Sequence, residues 1–106
     1  MARFDLYNNA GRTQASTPYL LDVQSDHLGS LNSRVVVPLT RVAGNYTPGT
    51  IAQDLSPLIE IRGEQFVLET AFLAAVPLTH LGRAIGTLKR EQDRIGAALD
   101  RLFGAY

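Results

Sequence analysis

One change of period divides this chain. Up to Pro77, apolar residues come in short alternating or β-branched runs separated by turn residues; beyond it they fall into a helical stripe. Arg3-Phe4-Asp5-Leu6-Tyr7 alternates with period two and places Phe4 and Leu6 on one face of a strand. Asn8-Asn9-Ala10-Gly11 reads as a turn or loop. Tyr19-Leu20-Leu21-Asp22-Val23-Gln24 is a second strand, entered after Pro18, and Gly29-Ser30-Leu31-Asn32-Ser33 breaks the pattern. Arg34-Val35-Val36-Val37-Pro38-Leu39 is β-branched and strongly strand-forming.

The stretch from Thr40 to Pro57 holds two turn signals, Gly44-Asn45 and Pro48-Gly49, with little periodicity. An irregular segment of that length carries minor strands or a working loop. Leu58-Ile59-Glu60-Ile61 and Gln65-Phe66-Val67-Leu68-Glu69 flank Arg62-Gly63-Glu64, a hairpin signal in which Gly63 supplies the positive φ. Phe72 to Val76 reads as a last apolar strand closed by Pro77, and Thr79 as the cap of a short turn over His80-Leu81 ended by Gly82. From Leu88 to Phe103 the spacing of Leu88, Ile95, Leu99 and Leu102 predicts one amphipathic helix. The expectation is a mainly β fold, several antiparallel strands followed by a C-terminal α-helix packed on the sheet.

A chain of 106 residues fits a single domain, 1–106. With no cysteine, disulfides, thiolate metal sites and cysteine nucleophiles are excluded, and a reducing cytoplasm fits. Lys plus Arg and Asp plus Glu both total 10. Proteins that grip nucleic acid through its phosphates carry a basic excess, so no direct nucleic-acid partner is expected. The start, Met1-Ala2-Arg3-Phe4-Asp5, lacks the apolar region of a signal peptide, and Ala71 to Leu78 is too short to span a bilayer. The expected setting is cytoplasmic, away from any membrane.

Catalytic constellations are not in view. His27 and His80 are far apart, lack carboxylates at ligand spacing, and read as exposed loop histidines rather than a metal site. Gly82, Gly86 and Gly96 do not make a phosphate loop, and there is no nucleophile elbow. Glu60, Glu64 and Glu69 read as solvent-facing carboxylates on a hairpin. Asp22 and Asp26, around Gln24-Ser25, read as turn-capping groups at a strand end. No catalytic residue, cofactor or metal is expected.

Several segments carry a family likeness. Leu20-Leu21-Asp22-Val23-Gln24-Ser25-Asp26 is similar to the strand-two signature of CcdB toxins, and Val35-Val36-Val37-Pro38-Leu39 resembles the strand that follows. Leu55-Ser56-Pro57-Leu58-Ile59-Glu60-Ile61 with the Gly63 turn resembles the family's hairpin. Ala74-Ala75-Val76-Pro77-Leu78, leading to Leu81-Gly82, resembles its last strand and exit. Arg90-Glu91-Gln92-Asp93 with Ile95, Ala98, Leu99 and Phe103 resembles its C-terminal helix.

The resemblance implies an SH3-like barrel of the CcdB/MazF type, with a five-stranded antiparallel sheet, a smaller sheet from the middle loop, and the helix. It also implies a homodimer with helices and C-termini close to the two-fold axis. Such dimers bind the A subunit of DNA gyrase, trap the enzyme on cleaved DNA, and are neutralised by the disordered tail of a CcdA-like antitoxin. Plasmid maintenance is the associated role, and no chemistry is catalysed.

The implied gyrase-binding positions are Lys89, Gln92, Asp93, Ala97, Asp100, Phe103, Gly104, Ala105 and Tyr106. The best-known members end in Trp-Gly-Ile, and those positions fall here on Gly104, Ala105 and Tyr106 in a chain with no tryptophan. Two accounts stand: a co-adapted gyrase met by Tyr106, or a CcdB-fold protein that has lost gyrase poisoning. A third reading is a MazF/Kid-like endoribonuclease toxin on the same fold, for which Thr40-Arg41 offers the hydroxyl and guanidinium pair.

Overall fold

The β-branched run from Arg34 to Leu39 becomes the axis of the structure. In the computed structural model, which describes residues 2–42 and 52–104, it forms β3 (Ser33–Arg41). Before it come β1 (Asp5–Asn8) and β2 (Tyr19–Asp22). After it come β4 (Leu58–Ile61), β5 (Glu64–Leu68), β6 (Ala74–Pro77), β7 (Gly86–Thr87) and the helix α1 (Gln92–Phe103).

One edge of β3 pairs antiparallel with β2, Tyr19 opposite Leu39 and Asp22 opposite Val36. The other edge is shared. β5 takes Leu39–Arg41 and β6 takes Ser33–Val36. Pro38 sits at the break between them. Its carbonyl accepts the Glu69 amide at 2.9 Å, so its polar side faces the gap and its missing N–H breaks no ladder. β4 extends the sheet beyond β5, and β1 and then β7 extend it beyond β2. The result is one curled antiparallel sheet of seven strands among the described residues, a half-barrel with α1 against it.

Alternation explains why neighbouring residues are both buried. Leu6, Leu21, Val37 and Leu39 point to the face under α1, where Ile59, Phe66, Leu68, Leu88 and Ile95 complete the main core. Tyr7 and Val36 point the other way and pack with Leu81, flanked by Leu20 and Val76. Side chains alternate across a strand, so both parities stay apolar only where both faces are covered.

The hairpin turn is tighter than the sequence suggests. β4 ends at Ile61 and β5 begins at Glu64, leaving Arg62 and Gly63 as a two-residue turn with φ of 53° and 82°. Two positive φ values give the type I′ twist that matches flanking strands. Phe4 is not in the first strand; it adopts φ 73° just before it, its N–H donating to Asp22 O at 2.7 Å and its carbonyl accepting Leu88 N at 2.8 Å. That one residue ties β1's entry to β2 and to the approach to α1.

Four further elements differ from expectation. The last apolar strand is β6, shifted to Ala74–Pro77 and largely exposed, with Phe72 69% exposed in a 3₁₀ turn before it. Thr79 lies inside the turn Leu78–His80 and caps nothing, because Pro77 holds the cap position. β7 is two residues long, too short for periodicity to register, and pairs with β1. α1 begins at Gln92, after a separate 3₁₀ turn over Lys89–Glu91. The two turn signals Gly44-Asn45 and Pro48-Gly49, and with them most of the expected minor sheet, lie outside the described residues.

Ile95 is fully buried in the main core, whereas Leu99 is only partly covered. Ile95→Ala should therefore lower unfolding free energy by about 2–5 kcal/mol. Leu99→Ala should cost less, and urea denaturation of the two variants compares them. Glu69, half-buried at the end of β5, has its carboxyl pKa raised by burial. A raised folded-state value means that ionisation opposes folding above it, and that this penalty disappears below the unfolded-state value. Glu69→Gln should melt higher than the parent at about pH 7, with the difference closing by about pH 4. Thermal melts across that window check the sign.

Candidate functional site

α1 is held on the core by Ile95 and Ala98. With about 100° per residue, Gln92, Asp93, Ala97, Asp100 and Phe103 then fall within one outer arc of about 140°. All five are exposed, as is Lys89 in the preceding turn. Arg94 and Arg101 lie on the opposite flank, clear of that arc. The arc carries two carboxylates, Asp93 and Asp100, and ends on the Phe103 ring, 69% exposed at the last helical turn. Phe103 does not pack into the core.

Gly104 has a structural task. Its φ of 70° and ψ of 37° are left-handed, and its N–H bonds to Asp100 O, which terminates the helix. Space at its Cβ position is open, with no atom within 4 Å, so strain alone penalises a larger residue. Ala105 and Tyr106 lie outside the described residues.

Beside the helix end runs an apolar groove of about 530 Å³. Val23, Val35, Leu73 and Leu99 form its apolar lining, and Leu28, Leu31 and Phe103 stand at it as exposed side chains. These last three are among the four large hydrophobics exposed in the described residues. Polar groups at its rim are Arg3, Gln24, Ser25, Ser33 and Asp100. Such concentration of exposed apolar area marks an interaction surface.

The loop that carries Leu28 and Leu31 is pinned by the Asp22–Asp26 segment. Asp22 has a convergent partner that sequence spacing did not reveal: Arg34 donates through Nε to Oδ2 at 2.7 Å and through Nη2 to Oδ1 at 2.9 Å. Both residues are buried, at 0% and 1% exposure. They sit diagonally across β2 and β3, on the smaller of the two apolar faces, where Asp22 lies opposite Val36. The hydrogen bond to Asp22 raises the Arg34 pKa, with burial opposing. The turn-capping role is real as well, since Asp22 Oδ1 accepts the Gln24 amide at 3.0 Å.

Gln24 carries the network outward. Its Oε1 accepts the Val35 amide at 3.0 Å, and its Nε2 donates to the Leu28 carbonyl at 3.1 Å. Ser25 Oγ accepts the His27 amide, and Asp26 Oδ1 accepts the Arg3 amide. Every polar residue of the motif therefore holds the loop in place. The signal for Arg34 was its phase: it shares parity with Val36 in a β-branched run, so it had to face inward with a partner. On the same face the Tyr7 hydroxyl is buried without a hydrogen-bond partner among the described residues, and burial, then Asp5 and Asp22, raises its pKa.

The groups considered for catalysis do not converge. Arg41 donates to both Glu64 oxygens at 2.6 Å and through Nε to Ala15 O at 3.0 Å, while Thr40 Oγ1 meets Thr17 Oγ1 at 3.1 Å. Both members of that pair thus face neighbouring strands and loops. Glu60 and Glu64 are exposed as expected; Glu69 is half-buried. His80 borders a depression of about 550 Å³ floored by Leu20, Pro38 and Val76, and no carboxylate lines it. No group of three metal-ligating side chains forms among the described residues, and no described helix is long and apolar enough to cross a membrane.

Removing one partner of a buried ion pair strands the other charge. Asp22→Asn should destabilise by about 3–5 kcal/mol. The double substitution Asp22→Leu with Arg34→Met should cost less than the single one. Denaturant midpoints decide it; a double variant weaker than Asp22→Asn contradicts this account.

The family model described as CcdB protein matches residues 3–104. That span takes in the sheet, the polar motif of β2, the groove and the whole of α1 to its glycine terminus. The chain accordingly belongs to the CcdB family, the toxin side of a toxin–antitoxin pair.

Proposed function

We propose that this protein is a gyrase poison: a homodimer that binds the A subunit of DNA gyrase through the outer arc of α1 and traps the gyrase–DNA cleavage complex. The observation that carries this reading is the arc itself. Lys89, Gln92, Asp93, Ala97, Asp100, Phe103 and Gly104, the described positions at which the family meets its target, are all exposed, and the helical ones share one side of α1. Binding of this kind needs a rigid projecting element rather than a reacting group. The protein acts by occupancy, as one domain, without catalysing a reaction, and in the cytoplasm where gyrase works.

A second copy of the chain fits the apolar groove. Leu28, Leu31 and Phe103 are exposed at it, and its lining includes the last turn of α1. An isologous contact there brings two helix ends together, because a two-fold interface uses the same patch on both protomers. The antitoxin partner is of the CcdA type, and its disordered segment competes for the same dimer. Tyr106 serves as the aromatic anchor in place of the absent tryptophan.

The purified protein should abolish supercoiling by its cognate gyrase and accumulate cleaved DNA on denaturing lysis. Added antitoxin should reverse growth arrest. Deleting Ala105-Tyr106 should remove toxicity while leaving fold and dimer intact, since α1 and its Gly104 terminus are kept. Leu31→Asp should give a monomer by light scattering with a native circular dichroism spectrum. A protein that leaves gyrase untouched but cleaves RNA, with cleavage abolished by Arg41→Ala, overturns the gyrase reading.

A further inference from the structure

Two arginines near the start of α1 do work that the target-facing arc does not absorb. Arg90 Nη2 donates to the Glu60 carbonyl at 3.1 Å, and Arg94 Nη2 donates to the Leu58 carbonyl at 2.7 Å. Both carbonyls belong to β4, the outermost strand at its end of the described sheet. Ile61 pairs with Glu64 across the two-residue turn, and Ile59 with Phe66. These pairs direct their backbone groups toward β5, so Leu58 and Glu60 direct theirs outward. The guanidiniums therefore occupy the acceptors of the sheet's free edge.

The spacing is matched. Two residues along a strand advance about 6.6 Å, and the four steps from Arg90 in the 3₁₀ turn to Arg94 in α1 advance about 6–8 Å, so the two side chains meet alternate carbonyls. Arg101 continues the line with Asp54 at 3.0 Å. The order 90, 94, 101 against 60, 58, 54 makes α1 antiparallel to β4. Arg94 is braced by Glu91 at 2.6 Å. Neither Leu88 nor Glu91, the residues at the two N-cap positions, makes a side-chain cap bond. Gly96, Ala97 and Ala98 add little side-chain bulk to the middle of the helix.

We infer that Arg90 and Arg94 are positioning residues that fix the register of α1 along β4, and so aim the arc of Lys89, Gln92, Asp93, Ala97 and Asp100 at its target. This deepens the proposed function and rests on α1 being the target-binding element. Exposed charged contacts add little to folding, so the effect of losing them falls on aim rather than on stability. A slip of one residue turns a helix face by about 100°, which would carry the carboxylates of Asp93 and Asp100 off their line.

The test compares Arg90→Met/Arg94→Met with Arg90→Lys/Arg94→Lys, since a lysine still donates to a carbonyl. Three measurements are made on each: dimer mass and melting, dissociation from the gyrase A protein, and the carbonyl carbon resonances of Leu58 and Glu60. The Met pair should keep its dimer and melt, dissociate from gyrase about tenfold faster, and shift both carbonyls. The Lys pair should restore most of the dissociation time and return the resonances. Wild-type dissociation by the Met pair, or unmoved carbonyls, overturns the inference. If the unsubstituted protein fails to bind gyrase, the proposed function falls, and the carbonyl and α1 amide resonances alone decide the register. Should the Met pair not fold, single Arg94→Lys and Arg94→Gln variants give the same comparison.

Discussion

The buried contact between Arg34 and Asp22 is the constraint on which the molecule's working surface depends. A bidentate pair at 2.7 and 2.9 Å, with both partners essentially without solvent, leaves neither side chain an alternative position. It ties the end of β2 to the start of β3. From there the Gln24 amide, its Oε1 and its Nε2 pass the constraint to Val35 and Leu28. An isolated buried ion pair is weak evidence for stability, because desolvation offsets much of the attraction. Its contribution here is geometric: an irregular loop bearing two exposed leucines is tied to β2 and β3 by side-chain hydrogen bonds.

That rigidity has a counterpart in the helix. α1 is short, starts without a side-chain cap and includes Gly96, so intrinsic propensity contributes little to its formation. Tertiary contacts form it instead. Ile95 and Ala98 face the core, Leu88 is buried just ahead of it, and Arg90 and Arg94 engage the edge of β4. The loop and the helix end thereby both line one groove, each held by its own set of bonds. A surface built from two separately fixed walls presents a single shape to a partner, which lowers the ordering cost of association.

Much of this was legible in the residues. The β-branched run of Val35, Val36 and Val37, the Gly63 turn and the stripe of Ile95, Leu99 and Leu102 each declared an element through periodicity. The run from Phe72 to Val76 was legible as a strand, but not as one shifted to Ala74–Pro77 and left exposed, since composition does not say which strand lies at a margin of the sheet. β7 was illegible because two residues have no period. Arg34 was readable only by phase, and its partner lies 12 positions earlier in sequence, beyond any local rule. The groove was harder still: Leu28 and Leu31, Leu73, and Phe103 come from three separate stretches, and only the folded chain shows that three of the four large hydrophobics exposed among the described residues share one place.

Gly104 brings these threads to one point. In the proposed reading it stands where the family's best-known members carry a tryptophan, and the left-handed turn it makes gives that difference a physical reason. A residue with a β-carbon is strained at φ 70°, so glycine terminates the helix here more favourably than a tryptophan would. Ending the helix there leaves Phe103 as the last ring on the rigid element, exposed and in line with Asp100 and Asp93. A ring carried on a formed helix brings an already ordered backbone to any contact. In the proposed reading, contact through the helix arc, with Phe103 as its last described ring, stands in for the missing terminal tryptophan.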